Sequence, residues 1–322
     1  MSVYTRIEQE ELREFLARYD VGALVDYRGI SAGIENTNYY VSTETHELIL
    51  TLFEQFEADE LPYFLDLMGH LADHGVPAPH PVADNTGQAL QTFKGRPAAL
   101  VTRLHGASLD HPEVAHCAAI GRGLAQLHQV GARFPQQREN PRGPRWWKAM
   151  AEKLEGHLDS DDAALLSEEL RFQSLFRVQD LPSGVIHADL FRDNALFQGE
   201  KLTGIIDFYY ACSDVWLYDV AITVNDWCSD DSGGLDPERV TALLEAYQAV
   251  RPFRSIERGA WPVMLRAAAL RFWLSRLGDL HFPRAGELTH TKDPNVFRAI
   301  LQRRIREERT LRKLWPQQRT AV

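Results

Sequence analysis

Leu12, Phe15, Leu16 and Tyr19 recur at the i, i+3, i+4, i+7 spacing of one helix face and predict a helix over 8–19. Alternating, β-branched and aromatic runs then predict strands over 24–30, 38–42 and 48–53. Residues 31–37 join the first two strands, and the polar turn Thr43-Glu44-Thr45-His46 joins the last two. Helical spacing returns over 58–74, with Leu61, Phe64, Leu65, Met68 and Leu71 inward, and Gly75, Pro77 and Pro79 stop it. Two further strands, 89–93 and 98–104, flank Lys94-Gly95-Arg96-Pro97. Five strands with the helices over 8–19 and 58–74 make a compact first lobe, residues 1–104, ending in a short connection at 101–104.

After His105-Gly106 the period turns helical, over 114–130, 146–158, 163–178, 214–228, 237–250, 257–280 and 294–314. Residues 131–145, with Pro135, Pro141, Gly143 and Pro144, read as a loop. Short apolar runs at Val185-Ile186, Ala195-Leu196-Phe197 and Gly204-Ile205-Ile206 interrupt the helices as strands. The expected class is α+β, two-lobed, with a β-rich N-terminal lobe and a mainly helical second lobe over 105–322. A chain of 322 residues can bury cores for both.

A net charge of −10 argues against a general nucleic-acid binder, which needs a positive surface. The arginines of the last helix are interleaved with Glu307 and Glu308 and read as a solvated face. Cys117, Cys212 and Cys228 lack CxxC spacing and fit buried thiols in a reduced cytoplasmic protein. No signal peptide and no apolar run long enough to span a membrane is expected. The oligomeric state stays open between monomer and dimer.

The chemistry concentrates in His187-Ala188-Asp189-Leu190-Phe191-Arg192-Asp193-Asn194, with Asp207 following at the end of the next apolar run. Asp189 and Asn194 are five residues apart, and Asn194 and Asp207 thirteen. Hung from the ends of neighbouring strands, two carboxylates and a carboxamide suit a divalent cation and a proton acceptor. Asp and Asn also cap turns with no further role; both spacings, behind a β-rich lobe, favour the chemical reading. The pattern is that of phosphoryl-transfer enzymes, where a loop Asp accepts a hydroxyl proton and an Asn and a second Asp hold Mg²⁺.

The same residues, with Ile205-Ile206-Asp207-Phe208, resemble the aminoglycoside phosphotransferase and choline kinase superfamily more closely still. That resemblance implies a protein kinase-like fold, ATP and Mg²⁺, with Asp189 catalytic and Asn194 and Asp207 on the metal. The loop 29–39 would fold over the phosphates, with Ser31, Gly33, Asn36 and Thr37 in contact, and adenine would bond near Thr102 and Leu104. One departure stands out: Thr51 occupies the third-strand position of the kinase lysine, and Arg192 is our candidate for the γ-phosphate in its place. Only eleven residues separate Asp207 from Asp219, too few for an activation segment, which disfavours a protein kinase. Asp219 resembles the family's loop-bracing aspartate, and His187 is expected to bond backbone near the loop.

Gly33-Ile34-Glu35-Asn36-Thr37-Asn38-Tyr39, Leu50-Thr51-Leu52-Phe53-Glu54, the Asp189 loop and Asp207-Phe208-Tyr209-Tyr210 are similar to the bacterial homoserine kinases of the choline kinase-like type, over nearly the whole chain. The resemblance implies O-phosphorylation of L-homoserine, a step of threonine biosynthesis. A zwitterionic acceptor needs a cation and an anion, for which Arg271 and Asp226 are the candidates, with Tyr209 beside them. A kinase for choline, ethanolamine, an aminoglycoside or methylthioribose stays open, since Trp216, Tyr218 and Trp227 would tolerate an amine. So does a catalytically dead nucleotide-binding module, because of Thr51. His70 and His74 lack a third ligand for zinc, and Trp146 and Trp147 read as lobe-surface cover.

Overall fold

The computed structural model describes residues 5–30, 36–176, 180–283 and 292–316. The N-terminal part is built on a six-stranded antiparallel sheet: β1 (Leu24–Ile30), β2 (Asn36–Thr43), β3 (Glu47–Phe53), β4 (Pro81–Val82), β5 (Leu90–Phe93) and β6 (Arg96–Thr102). Strand order is β1-β2-β3-β6-β4, with β5 on the free stretch of β6. Period-2 alternation gives the sheet two apolar faces. Leu48, Leu50 and Leu52 of β3 and Ala98 and Leu100 of β6 meet Leu12, Phe15 and Leu16 of α1 (Gln9–Leu16). Ala99 and Val101 point the other way, into the core shared with α2 (Leu61–Asp73).

Six strands replace the five expected, because β4 has only two residues and opens on a proline, too short to show a period. α1 stops at Leu16 rather than 19, although Tyr19 is still buried from the following turn. α2 begins at Leu61 rather than 58, where Pro62 sets the first turn. β6 ends at Thr102, two residues early, because Arg103 and Leu104 already belong to the connection.

The helical part comprises α3 (Val114–Gly131), α4 (Pro144–Lys153), α5 (Ser160–Ser174), α6 (Trp216–Trp227), α7 (Pro237–Val250), α8 (Ser255–His281), α9 (Pro294–Arg306) and α10 (Glu308–Lys313). The run expected over 294–314 is two helices, broken at Glu307. The helix expected over 163–178 runs instead from Ser160, where Asp159 caps it by accepting from Asp162 N, and stops at Ser174. α8 is central and buries Trp261, Leu265, Leu270 and Trp273. α3 and α7 cross so closely at Gly121 that a Cβ there would lie 2.3 Å from the Leu243 carbonyl oxygen.

Two small ribbons carry the acidic loops. β7 (Ser183–Ile186) pairs with β10 (Cys212–Val215), a strand that takes in 214 and 215, where the sequence predicts the start of a helix. β8 (Ala195–Gln198) pairs with β9 (Lys201–Ile205). The connection between the two parts leans on the second ribbon through Ala107 and Phe197, which exchange backbone hydrogen bonds of 3.0 and 2.9 Å.

Candidate active site

β7 delivers the chain to His187, and the turn that follows is held by a buried carboxylate. The amides of His187 and Ala188 donate to Asp219 of α6 at 2.7 and 2.9 Å, and His128 Nε2 of α3 donates to the same group at 3.0 Å. His128 is bonded in turn to the Tyr247 hydroxyl of α7, 2.7 Å away. Burial pushes the Asp219 carboxyl up, but the bonds from His128 and the His187 amide outweigh it and leave the pKa below 3.8. Burial depresses His128 and His187, so both imidazoles are neutral. His187 Nε2 donates to the Ile206 carbonyl (3.0 Å) and Nδ1 accepts from the Asp189 amide (3.3 Å), the backbone role expected of it. Trp227 Nε1 pins the loop further along, at the Leu190 carbonyl (3.1 Å). Ala188 is left-handed at φ 63°, a strain of about 1–2 kcal/mol that these bonds sustain.

Asp189 leaves the first ribbon, whereas Asn194 and Asp207 flank the second; the three do not hang from one set of neighbouring strands as expected. Asn194 joins the two. Its Nδ2 donates to the Asp189 carbonyl (2.9 Å) and carboxylate (3.1 Å), and its own carbonyl accepts from Ile206 N (2.9 Å), next to Asp207. Asp207 is exposed in the cleft and left-handed at φ 63°. With Nδ2 turned to Asp189, the other end of the Asn194 amide, its oxygen, faces away. One carboxylate and one amide oxygen fit Mg²⁺, which keeps waters and substrate phosphates as its remaining ligands. Among the described residues no cluster of three His, Cys, Asp or Glu side chains offers an all-protein metal cage. His70 and His74 are bonded to the carbonyls of Val130 and His70.

Arg271 rises from α8 beneath this cluster. It is buried, with Nη1 3.4 Å from Asp189 Oδ1 and the guanidinium 3.7 Å from the Phe272 ring and 5.2 Å from the Tyr210 ring. Asp189 keeps 19 % of its side chain open to the cleft. Burial raises its pKa to about 7; Arg271 opposes the shift, and Asp207 and Asp193 add to it.

The other expected contacts sort differently. Arg192 and Asp226, assigned to phosphate and ammonium, bind each other: Asp226 accepts from Arg192 N (2.8 Å) and Nε (3.2 Å), and Arg192 Nη1 donates to the Asp110 carbonyl (2.7 Å). Tyr209 points away from the acceptor side, into the rings of Phe53, Phe56 and Phe64. Its hydroxyl faces Thr51, which donates to Asn38 at 2.7 Å. Hydroxyls and an amide thus stand where a kinase lysine would. Ser31 and Gly33 lie outside the described residues. Asn36 and Thr37 already belong to β2, and Thr37 turns inward to donate to Glu54 (2.8 Å).

In the connection, the amides of Thr102 and Arg103 are taken by the carbonyls of His80 and Glu47, and Leu104 packs on Gly204. Trp227 is fully buried, Tyr218 is buried, and Trp216 packs on Gly184, so the aromatic wall that would have welcomed an amine is core.

A β-rich part followed by a helical one, with a braced aspartate that has an amide and a second aspartate beside it, defines a kinase-like phosphotransferase. Residues 26–253 match the phosphotransferase enzyme family. The chain is 52 % identical over 315 residues to a homoserine kinase of Methylobacillus flagellatus, covering 98 % of this chain and 99 % of that one. It is 46 % identical to one of a Janthinobacterium species, over 95 % and 97 %. The chain belongs to the phosphotransferase enzyme family and, within it, to the homoserine kinases. In fold it is similar to a microcompartment-associated aminopropanol kinase, with a TM-score of 0.69 at 21 % identity over 94 % and 98 % of the two chains. It is equally similar to an amicoumacin kinase solved with AMP-PNP and Ca²⁺, with a TM-score of 0.69 at 16 % identity over 97 % and 96 %. Among the described residues no helix is long and apolar enough to cross a membrane.

Proposed function

We propose that this protein transfers the γ-phosphoryl group of ATP, with Mg²⁺, to the side-chain hydroxyl of L-homoserine, in the cytoplasm and in the service of threonine synthesis. The observation that carries the reading is the near full-length likeness to homoserine kinases, on a chain whose Asp189, Asn194 and Asp207 converge. Asp189 orients the acceptor hydroxyl and takes its proton. A carboxyl with a pKa near 7 is far better matched to that task at neutral pH than an ordinary aspartate. Asn194 Oδ1 and Asp207 would hold Mg²⁺, which neutralises charge on the phosphates. Arg271, the cation nearest the proton acceptor, receives the acceptor's carboxylate. Arg192 and Asp226 keep the loop in register rather than touching substrate.

An ADP-release assay with L-homoserine, run against choline, ethanolamine, an aminoglycoside and methylthioribose, tests the assignment. Turnover should be confined to homoserine and collapse in Asn194→Ala. Binding of ATP without turnover of any acceptor would reject it.

A further inference from the structure

We infer that Arg142 is a second anchor for the acceptor's carboxylate, working with Arg271 from beside the Tyr210 ring. This rests on the reading of the acceptor as an amino acid. Arg271 contacts both Asp189 and the Tyr210 ring, and a second cation shares that ring: the Arg142 guanidinium lies 5.9 Å from Tyr210 and 4.5 Å from Trp146. Arg142 comes from the loop over 131–145, which no periodicity marks and which the fold ties firmly in place. Ser213 N donates to the Arg138 carbonyl (2.7 Å) and Asn140 Nδ2 to Asp214 (2.6 Å). Arg142 itself is pinned on both sides, its amide on Asn140 Oδ1 (2.8 Å) and its carbonyl under Trp147 Nε1 (2.6 Å).

The guanidinium's own pairing is the second observation. Arg138 and Arg145, on either side, are each paired to a carboxylate, Glu60 and Glu139. Among the described residues Arg142 is paired to none; it rests on two aromatic faces. A planar cation stacked on rings loses little rotamer freedom on binding and keeps its fork of donors for a carboxylate. Arg271 alone is a poor anchor, because Asp189 shares it. An acceptor whose hydroxyl faces Asp189 and whose carboxylate reaches past Tyr210 meets both cations. Choline and ethanolamine carry no group for either.

The test compares wild type, Arg142→Ala and Arg142→Lys on L-homoserine and on 3-amino-1-propanol, which is homoserine without its carboxylate. Where the amino alcohol turns over too slowly, its inhibition constant against homoserine is read instead. Arg142→Ala should raise KM for homoserine roughly 10- to 100-fold, the size of one charge-assisted hydrogen bond. It should leave KM for ATP, the constants for the amino alcohol and the thermal midpoint unchanged. Arg142→Lys should recover part of the loss. Equal losses on both acceptors would make Arg142 merely structural, and a rise confined to KM for ATP would move it to the phosphates; either overturns the inference. Wild type that phosphorylates no homoserine would overturn the functional reading itself, before any variant is compared.

Discussion

Asp189→Asn should abolish most turnover and at the same time stabilise the protein, with a pH dependence set by the site. Burial, with Asp207 and Asp193 nearby, holds the carboxyl at about 7 against an ordinary 3.8. Keeping it ionised above that pH costs the folded state about 4 kcal/mol relative to the unfolded chain. Water reaches 19 % of the side chain and screens part of this. Asparagine also offers one acceptor oxygen to two donors, Arg271 Nη1 and Asn194 Nδ2, which returns about 1 kcal/mol. The net gain for the variant at pH 8 is then about 1–3 kcal/mol.

Between pH 3.8 and 7 the unfolded carboxyl is ionised while the folded one is protonated, so wild-type stability declines as pH rises through that window. The variant's advantage should therefore be complete at pH 8 and vanish near pH 4. Urea unfolding of both proteins at several pH values, with kcat at pH 8, reads the two effects together. An advantage that is absent at pH 8, or that persists undiminished at low pH, refutes the account of Asp189.

Arg271→Met should raise KM for homoserine more than tenfold while sparing KM for ATP. Because Arg271 lowers the Asp189 pKa, its loss should also move the acid limb of kcat/KM to higher pH; equal effects on both substrates would reject its role. Asp219→Asn leaves two loop amides and His128 sharing one acceptor oxygen and should cost about 2–4 kcal/mol and much of kcat. Its folded pKa lies below 3.8, so the stability it contributes is present above that pH and lost as pH falls further; a wild-type acid transition unchanged in the variant would argue otherwise. Gly121→Ala drives a methyl against the Leu243 backbone and should lower the denaturation midpoint by the equivalent of about 1–3 kcal/mol, with KM values little changed.

What could be read from the chain follows from range. The helices and the strands of four residues or more, save β10, announce themselves by period or by apolar runs, and Asp189, Asn194 and Asp207 by spacing, because one short loop and one ribbon of fixed length separate them. β4 has only two residues, and in β10 the adjacent polar pair Ser213 and Asp214 leaves no apolar run or alternation to read. The pairing of Arg192 with Asp226 spans 34 residues and that of Arg271 with Asp189 spans 82, so no local pattern records either. For that reason Arg192 looked available to a phosphate and Asp226 to an ammonium. Trp216, Tyr218 and Trp227 looked like a binding wall because aromatic content says nothing about which way a helix faces. Arg142 had no signal at all; only its stacking on Trp146 and Tyr210 makes it visible.

The brace on the Asp189 loop also has a bearing on how the chain folds. Its bonds reach from Asp219 to His187 across 32 residues and to His128 across 91, and from His128 to Tyr247 across 119. During synthesis Asp189 emerges well before Asp219 and long before Arg271, whereas β2 and β3 can pair as soon as their turn is made. The six-stranded sheet should gain order early, and the Asp189 loop should be among the last parts to set. In pulsed hydrogen exchange during refolding, the amides of His187 and Ala188 should become protected together with α8 and later than those of β2 and β3. A nascent chain halted before Asp219 would carry the loop's full wording without the group that shapes it, and so could not waste ATP on water while incomplete.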